Sequence, residues 1–161
     1  DEYTAKTKIE ELNLAGERMA KAGFAFFYHN HHMEFMRHGG KTIYDYMIEN
    51  APYINFTVDT YWVQYGGVDV VDFLETLKGR IECVHLKDYK TKFFLDEKEC
   101  PRFVPEIESV GYGVINFQTV INKMREVGVE HYLVEQDNAA DLPDTLNQVV
   151  RSVNYLKKEI K

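Results

Sequence analysis

Several classes of protein are disfavoured by what the sequence lacks. It has two cysteines in 161 residues, Cys83 and Cys100, which are too few for a disulfide framework and make a reducing cytoplasm the default location. No apolar run is long enough for a membrane-spanning helix. There is no stripe of basic residues and the net charge is −7, so a nucleic-acid partner is disfavoured, because binding phosphates needs clustered cations.

Apolar and aromatic side chains, by contrast, are abundant. Hydrophobic residues make up 45% of the sequence and aromatic residues 14%, as in globular rather than disordered chains. A length of 161 residues is enough for one domain with a sizeable core. We therefore expect residues 1–161 to form a single domain.

The spacing of apolar residues predicts strands that alternate with helices. The predicted strands are 24–28, 54–58, 81–86 and 131–135. The predicted helices are 4–22, 42–50, 68–79, 116–128 and 141–160, with an irregular stretch at 89–113. Gly23 and Gly128 are expected to end helices, and Asp69 and Gly79 to cap another. This alternation indicates an α/β fold in which helices pack on a parallel sheet.

Each predicted strand finishes in a residue that can bind a metal or move a proton. In chain order these residues are His29, Asp59, His85 and Glu135. The carboxyl ends of parallel strands share one face, and in such folds that face carries the functional site. Because side chains alternate along a strand, these four can all point inward while Val58, Val84 and Val134 face the helices.

Two imidazoles and two carboxylates form a mixed nitrogen and oxygen donor set. Such a set suits Mn, Zn, Fe or Co better than Ca, which prefers oxygen alone. A bound ion of this kind polarises a carbonyl or hydroxyl oxygen of a substrate. A ligating or adjacent carboxylate then takes a proton from the neighbouring carbon.

Structural explanations compete with this hypothesis. A single His at a strand end is usually structural, and an Asp there is most often a turn or N-cap residue; the coincidence of four such residues favours a site. Lys87 and Asp88 are equally consistent with a surface pair. Trp62, Tyr61 and Tyr65 fit either a core or an aromatic floor beneath a sugar ring.

Five segments carry a family resemblance. These are "FYHNHHMEF", "VDTYWVQYGG", "VHLKDY", "GYGVINF" and "YLVEQDN". They resemble, in order, the strand-end motifs of the sugar phosphate isomerase/epimerase family, whose members are xylose-isomerase-like TIM barrels. The match runs across nearly the whole chain but concerns only the second half of the eight-stranded barrel. The resemblance implies an α/β half-barrel of four parallel βα units, equivalent to strands five to eight.

The resemblance also implies a metal site. Family members hold a divalent metal on ligands from these last four strands, which match Asp59, His85 and Glu135 here. His29 stands where the family usually has a Glu, so the fourth ligand is either His29 or Glu34. The ion would be Mn, Zn, Co, Fe or Mg.

The implied activity is a metal-dependent isomerase or epimerase acting on a sugar, sugar phosphate or polyol. Glu135 would transfer a proton beside a metal-polarised carbonyl or hydroxyl, and Lys87 would stabilise an enediolate oxygen. Glu34 and His31 are the further candidate catalytic residues. Related alternatives are a dehydratase or lyase, an endonuclease IV-like enzyme, and a half-barrel without catalysis.

Four βα units are too few to close a barrel, since closure links strand number, tilt and shear. The inner face, with Phe27, Thr57, Cys83 and Leu133, would stay partly open, and both edge strands would keep unpaired backbone groups. We therefore expect a homo-oligomer, with a dimer of half-barrels as its simplest form.

Overall fold

The structure is a computed structural model that describes residues 2–159. Its α-helices are α1 Glu2–Lys21, α2 Ile43–Asn50, α3 Thr60–Tyr65, α4 Val70–Thr76, α5 Phe117–Val127 and α6 Thr145–Glu159. Its strands are β1 Phe27–His29, β2 Arg37–His38, β3 Lys41–Thr42, β4 Asn55–Asp59, β5 Ile81–Leu86, β6 Asp88–Leu95, β7 Pro101–Glu108 and β8 His131–Val134. Short 3-10 helices occupy Met33–Phe35 and Ala139–Asp141. Over this range, no helix combines the length and apolarity needed to cross a bilayer.

The central sheet is parallel and has the strand order β1-β4-β5-β8. On one face, Val58 and Val84 are fully buried in the main apolar cluster with helix residues. On the other face Thr57 and Cys83 are half-buried, and Leu133 is 51% exposed. The predicted alternation is therefore confirmed. Four parallel βα units with one covered face and one open face make up half of a TIM barrel.

Helix boundaries follow local capping chemistry. Asp69 caps α4 as predicted, since its Oδ1 accepts a hydrogen bond from the Asp72 N–H at 2.9 Å. Gly128 ends α5 in the left-handed conformation, with φ of 85°, which glycine adopts without strain. The cap expected at Gly79 is wrong, because α4 already ends at Thr76.

Several predicted boundaries also shift. The first strand covers Phe27–His29 rather than 24–28, and α3 at Thr60–Tyr65 was not predicted. The last helix begins at Thr145 instead of 141. Its predicted end at 160 lies outside the described residues.

The stretch 89–113 is not irregular, contrary to the prediction. Most of it forms an antiparallel hairpin of β6 and β7, paired from Asp88 with Glu108 to Leu95 with Pro101. The Asp96 side chain organises the turn by accepting hydrogen bonds from two backbone N–H groups at 2.9 Å. The aromatic and β-branched residues of β6 favour a strand, and this was the signal available in the sequence.

Asp88 anchors the base of the hairpin. It is fully buried and its carboxylate accepts hydrogen bonds of 2.9–3.2 Å from four backbone N–H groups, those of Tyr89, Gly111, Gly113 and Ile115. A Cβ at Gly113 would lie 2.3 Å from Asp88 Oδ1, so the loop approaches the carboxylate closely only with glycine there. Burial raises the pKa of Asp88, and the N–H donors oppose that shift. The surface-pair interpretation is therefore wrong for Asp88.

We expect Asp88→Asn to lower the free energy of unfolding by about 3 kcal/mol, because an amide turns one acceptor into a donor that faces other donors. Urea denaturation measures the change. Asp69→Asn is the matched control, since Asn caps a helix about as well as Asp and stability should be unchanged. Equal stability of the two variants would contradict the anchoring role.

The open face and the free edges of β1 and β8 predict self-association. Light scattering at micromolar concentration should give a dimer mass. Leu133→Lys, which places a charge on the open face, should reduce that mass to the monomer's. Leu146→Lys is the control, since Leu146 lies on α6 and is 77% exposed. A wild-type monomer that unfolds cooperatively would rule out the dimer.

Candidate metal centre

The structure brings together the four strand-end residues. His29, Asp59, His85 and Glu135 each offer one ligand atom, and these atoms all lie within 4.8 Å of one another. The rings of His29 and His85 are tilted by 39° relative to each other, with centroids 4.6 Å apart. Four consecutive strands of the parallel sheet thus converge on one point at its carboxyl edge.

The polar atoms of this cluster fit a cation. His29 Nε2 and His85 Nδ1 are buried without a hydrogen bond of ordinary geometry, and an unpaired buried group of this kind costs about 1–3 kcal/mol. His85 Nδ1 and Glu135 Oε2 also approach each other closely. Imidazole nitrogens and carboxylate oxygens are the donors that Zn, Mn, Fe and Co accept together, so the residues present fit a divalent transition metal.

Asp59 has both a structural and a site-facing oxygen. Its side chain is fully buried, and Oδ1 accepts a hydrogen bond of 3.1 Å from the Trp62 N–H, which caps α3. Oδ2 lies 3.6 Å from His29 Nε2 and 2.9 Å from Lys87 Nζ. The N-cap and the ligand interpretations of Asp59 are therefore compatible.

Lys87 contacts two residues of the cluster and has 1% of its side chain exposed. Its Nζ is 2.9 Å from Asp59 Oδ2, 2.9 Å from Glu135 Oε1 and 3.1 Å from Asp137. Burial alone would lower the pKa of Lys87, but the surrounding carboxylates outweigh it and raise the pKa to about 12. The interpretation of Lys87 as part of a surface pair is wrong, since it is a buried ammonium.

Hydrogen bonds link each strand end to the next. Asn30 Oδ1 accepts from the Asp59 N–H at 2.9 Å, which joins β1 to β4. The Thr60 hydroxyl donates to the Lys87 carbonyl at 2.8 Å and accepts from its N–H, which joins β4 to β5. The Glu135 N–H donates to the Leu86 carbonyl at 3.1 Å. Sequence reasoning missed Asn30 and Thr60 because both side chains act on a strand distant in the chain.

Glu34 lies outside the cluster and is occupied elsewhere. Its side chain is buried, and it accepts hydrogen bonds from the Tyr28 hydroxyl at 2.5 Å and from the His31 N–H at 3.0 Å. Burial and Glu34 together raise the pKa of Tyr28. Glu34 thereby holds the loop that follows β1.

An aromatic wall borders the cluster. The Trp62 ring lies 5.0 Å from the ring of His31 and stacks on that of His32 at 5.2 Å. His31 is exposed and its ring is 5.2 Å from that of His29. The core interpretation holds for Tyr61, which is 6% exposed, and is wrong for Tyr65, which is 47% exposed. The aromatic floor beneath a sugar ring stays a prediction.

Comparison with known proteins gives relatives of about twice this length. Residues 2–159 match the model of a family described as xylose isomerase-like TIM barrel. An inosose dehydratase from Clostridium perfringens is 27% identical over 164 residues, covering 96% of this chain and 54% of the relative. The chain thus spans about half the length of the curated relatives it matches.

Solved structures of similar proteins match the chain over nearly its whole length. A sugar phosphate isomerase/epimerase from Parabacteroides distasonis superposes with a TM-score of 0.77 at 28% identity, covering 97% of this chain and 52% of that one. A xylose isomerase-like TIM barrel protein from Mycobacterium smegmatis, solved in complex with magnesium, has a TM-score of 0.65. It covers 99% of this chain and 51% of that one, and at 14% identity the likeness concerns the fold. Because the family model matches nearly the entire length of this chain, the chain belongs to the xylose isomerase-like TIM barrel family.

Proposed function

We propose that the protein represented by this chain is a metal-dependent isomerase or epimerase of a sugar, sugar phosphate or polyol. The observation that carries the proposal is the convergence of two imidazole nitrogens and two carboxylates at the carboxyl edge of the sheet. TIM barrel enzymes keep their active sites at that edge. The likeness to a sugar phosphate isomerase/epimerase supports the substrate class.

His29, Asp59, His85 and Glu135 are the proposed ligands, with His29 rather than Glu34 as the fourth. The hydrogen bonds of Glu34 to Tyr28 and His31 favour a positioning role for its carboxylate. A divalent ion in the centre supplies Lewis-acid polarisation of a substrate carbonyl or hydroxyl oxygen.

Glu135 is the proposed proton-transfer group. Its side chain is 32% exposed, whereas Asp59 is fully buried and caps a helix. Burial would raise the pKa of Glu135, but Lys87 and His85 bring it below the usual value. The carboxylate is therefore ionised near neutral pH, which is the form that takes a proton from a carbon beside a polarised carbonyl.

Lys87 acts through its charge. Its ammonium donates hydrogen bonds to Glu135 and Asp137 and lies 2.9 Å from Asp59 Oδ2, so these carboxylates compete with an enediolate oxygen for it. A fixed positive charge in a poorly hydrated site still stabilises negative charge that develops on the substrate. His31, exposed beside Trp62, is suited to contact the substrate.

A dehydratase is the second candidate, favoured by the inosose dehydratase that matches 96% of the chain. Isomerisation and dehydration both begin with removal of a proton beside a carbonyl, and they differ in whether a hydroxide then leaves. The same residues serve either reaction. The absence of a nucleic-acid partner and the cytoplasmic location stay predictions.

The metal centre predicts one bound ion per chain. Elemental analysis after loading with Mn²⁺ or Zn²⁺ and gel filtration should give a ratio near one. Asp59→Asn combined with His85→Gln should abolish binding, and Asn at 59 still caps α3. Stoichiometric binding that survives both substitutions would contradict the assigned ligands.

The fourth ligand is decided by comparing two alanine variants. His29→Ala should weaken Zn²⁺ binding by about 100-fold, since loss of even an outer-shell partner costs about 10- to 100-fold. Glu34→Ala should weaken it by about tenfold or less, because Glu34 acts through the loop. Competition with a chromogenic chelator measures both, and the opposite ranking would make Glu34 the ligand.

Proton transfer is tested by incubating metal-loaded protein in deuterated water with an aldose, a ketose phosphate or an inosose. Deuterium should enter at the carbon beside the carbonyl, and Glu135→Gln should slow exchange by about 10²- to 10⁴-fold. Loss of water from the inosose would select the dehydratase, and interconversion without loss the isomerase. Exchange with none of the compounds would refute the proposal.

A further inference from the structure

Three carboxylates surround the single positive charge of Lys87. Asp59, Glu135 and Asp137 all approach its Nζ within 3.1 Å. Two of these carboxylates belong to the candidate metal centre, and Asp137 does not. Asp137 lies two residues beyond Glu135, is 48% exposed, and has both carboxylate oxygens 3.1 Å from the ammonium.

The metal centre and Lys87 share their carboxylates. Asp59 Oδ2 lies 2.9 Å from Lys87 Nζ and 3.6 Å from His29 Nε2, and Glu135 places Oε1 on Lys87 and Oε2 on His85. An ion among these ligands therefore competes with the ammonium for negative charge, and the two cations repel each other across a short distance. Asp59 and Glu135 would share their negative charge with the ion. Asp137 is the carboxylate partner of Lys87 that does not belong to the metal centre.

We propose that Asp137 is a positioning residue that retains the Lys87 ammonium when Asp59 and Glu135 bind a metal. The proposal rests on the metal centre of the proposed function. The turn that carries Asp137 is fixed from both sides, since the Asn138 amide donates to the Ile107 carbonyl of β7 at 3.0 Å and the Glu135 N–H is bonded to Leu86. Asp137 therefore has a defined place beside Lys87.

Loss of Asp137 has a specific consequence. Without it, Lys87 is left with only the two carboxylates that the metal needs, and metal binding must then displace a buried cation. Asp137→Asn should therefore weaken metal binding mainly through Lys87. In a protein without the ammonium, the same substitution removes only a long-range attraction and has a smaller effect.

The test is a double-mutant cycle on Co²⁺ affinity, with the full 161-residue chain and a competing chelator. Asp137→Asn should raise the Kd about tenfold, the scale of coupling within one charge network. Lys87→Met should lower the Kd. In the Lys87→Met background, Asp137→Asn should change the Kd by about twofold or less.

Two further variants serve as controls. Asp141→Asn removes an exposed charge from the neighbouring 3-10 helix and should leave the Kd within about twofold. Asp137→Glu keeps the charge and should restore most of the wild-type affinity, a comparison that stands even where Lys87→Met fails to fold.

The proposal is overturned by equal effects of Asp137→Asn in both backgrounds, by Asp137→Glu binding as weakly as Asp137→Asn, or by a wild-type chain that does not bind Co²⁺. Failure of the deuterium exchange assay alone would contradict the proposed function. The Co²⁺ affinities of this double-mutant cycle would still test the role of Asp137.

Discussion

A single buried ammonium connects the carboxyl ends of the sheet. Lys87 has 1% of its side chain exposed, and removing such a charge from water is costly unless opposite charges surround it. Carboxylates from the end of β4 and from the segment after β8 provide that compensation. Because Lys87 and the fully buried Asp59 carboxylate stabilise each other, removing the lysine leaves that carboxylate buried without an opposite charge. The arrangement of the candidate metal ligands depends on this balance.

The sequence predicted the features that local patterns determine. The strand at 81–86 matches β5, and the convergence of His29, Asp59, His85 and Glu135 follows from alternation along parallel strands. The resemblance to a known family supplied the half-barrel architecture. These properties depend on residues adjacent in the chain or on the shared direction of neighbouring strands.

Features that depend on remote partners were missed. The sequence indicated Lys87 as a candidate catalytic residue, but it left a surface pair with Asp88 open, because nothing nearby indicates that these two charged residues are buried. The partners that compensate them, Asp137 for one and the glycines of the 111–113 loop for the other, lie more than 20 residues away. The hairpin of β6 and β7 was overlooked because its lysines and glutamates, now paired across the strands, interrupt the apolar pattern.

The links between strand ends have a consequence for biosynthesis. Each joins a strand to the next strand of the sheet along the chain, Asn30 to Asp59 and Thr60 to Lys87, and Glu135 closes the series. Contacts of this sequential kind need no partner from later in the chain, so they can form as the polypeptide leaves the ribosome. The last carboxylate arrives only after β8, so a nascent chain exposes at most an incomplete ligand set. Stable capture of an ion would then wait until β8 and Glu135 have been added.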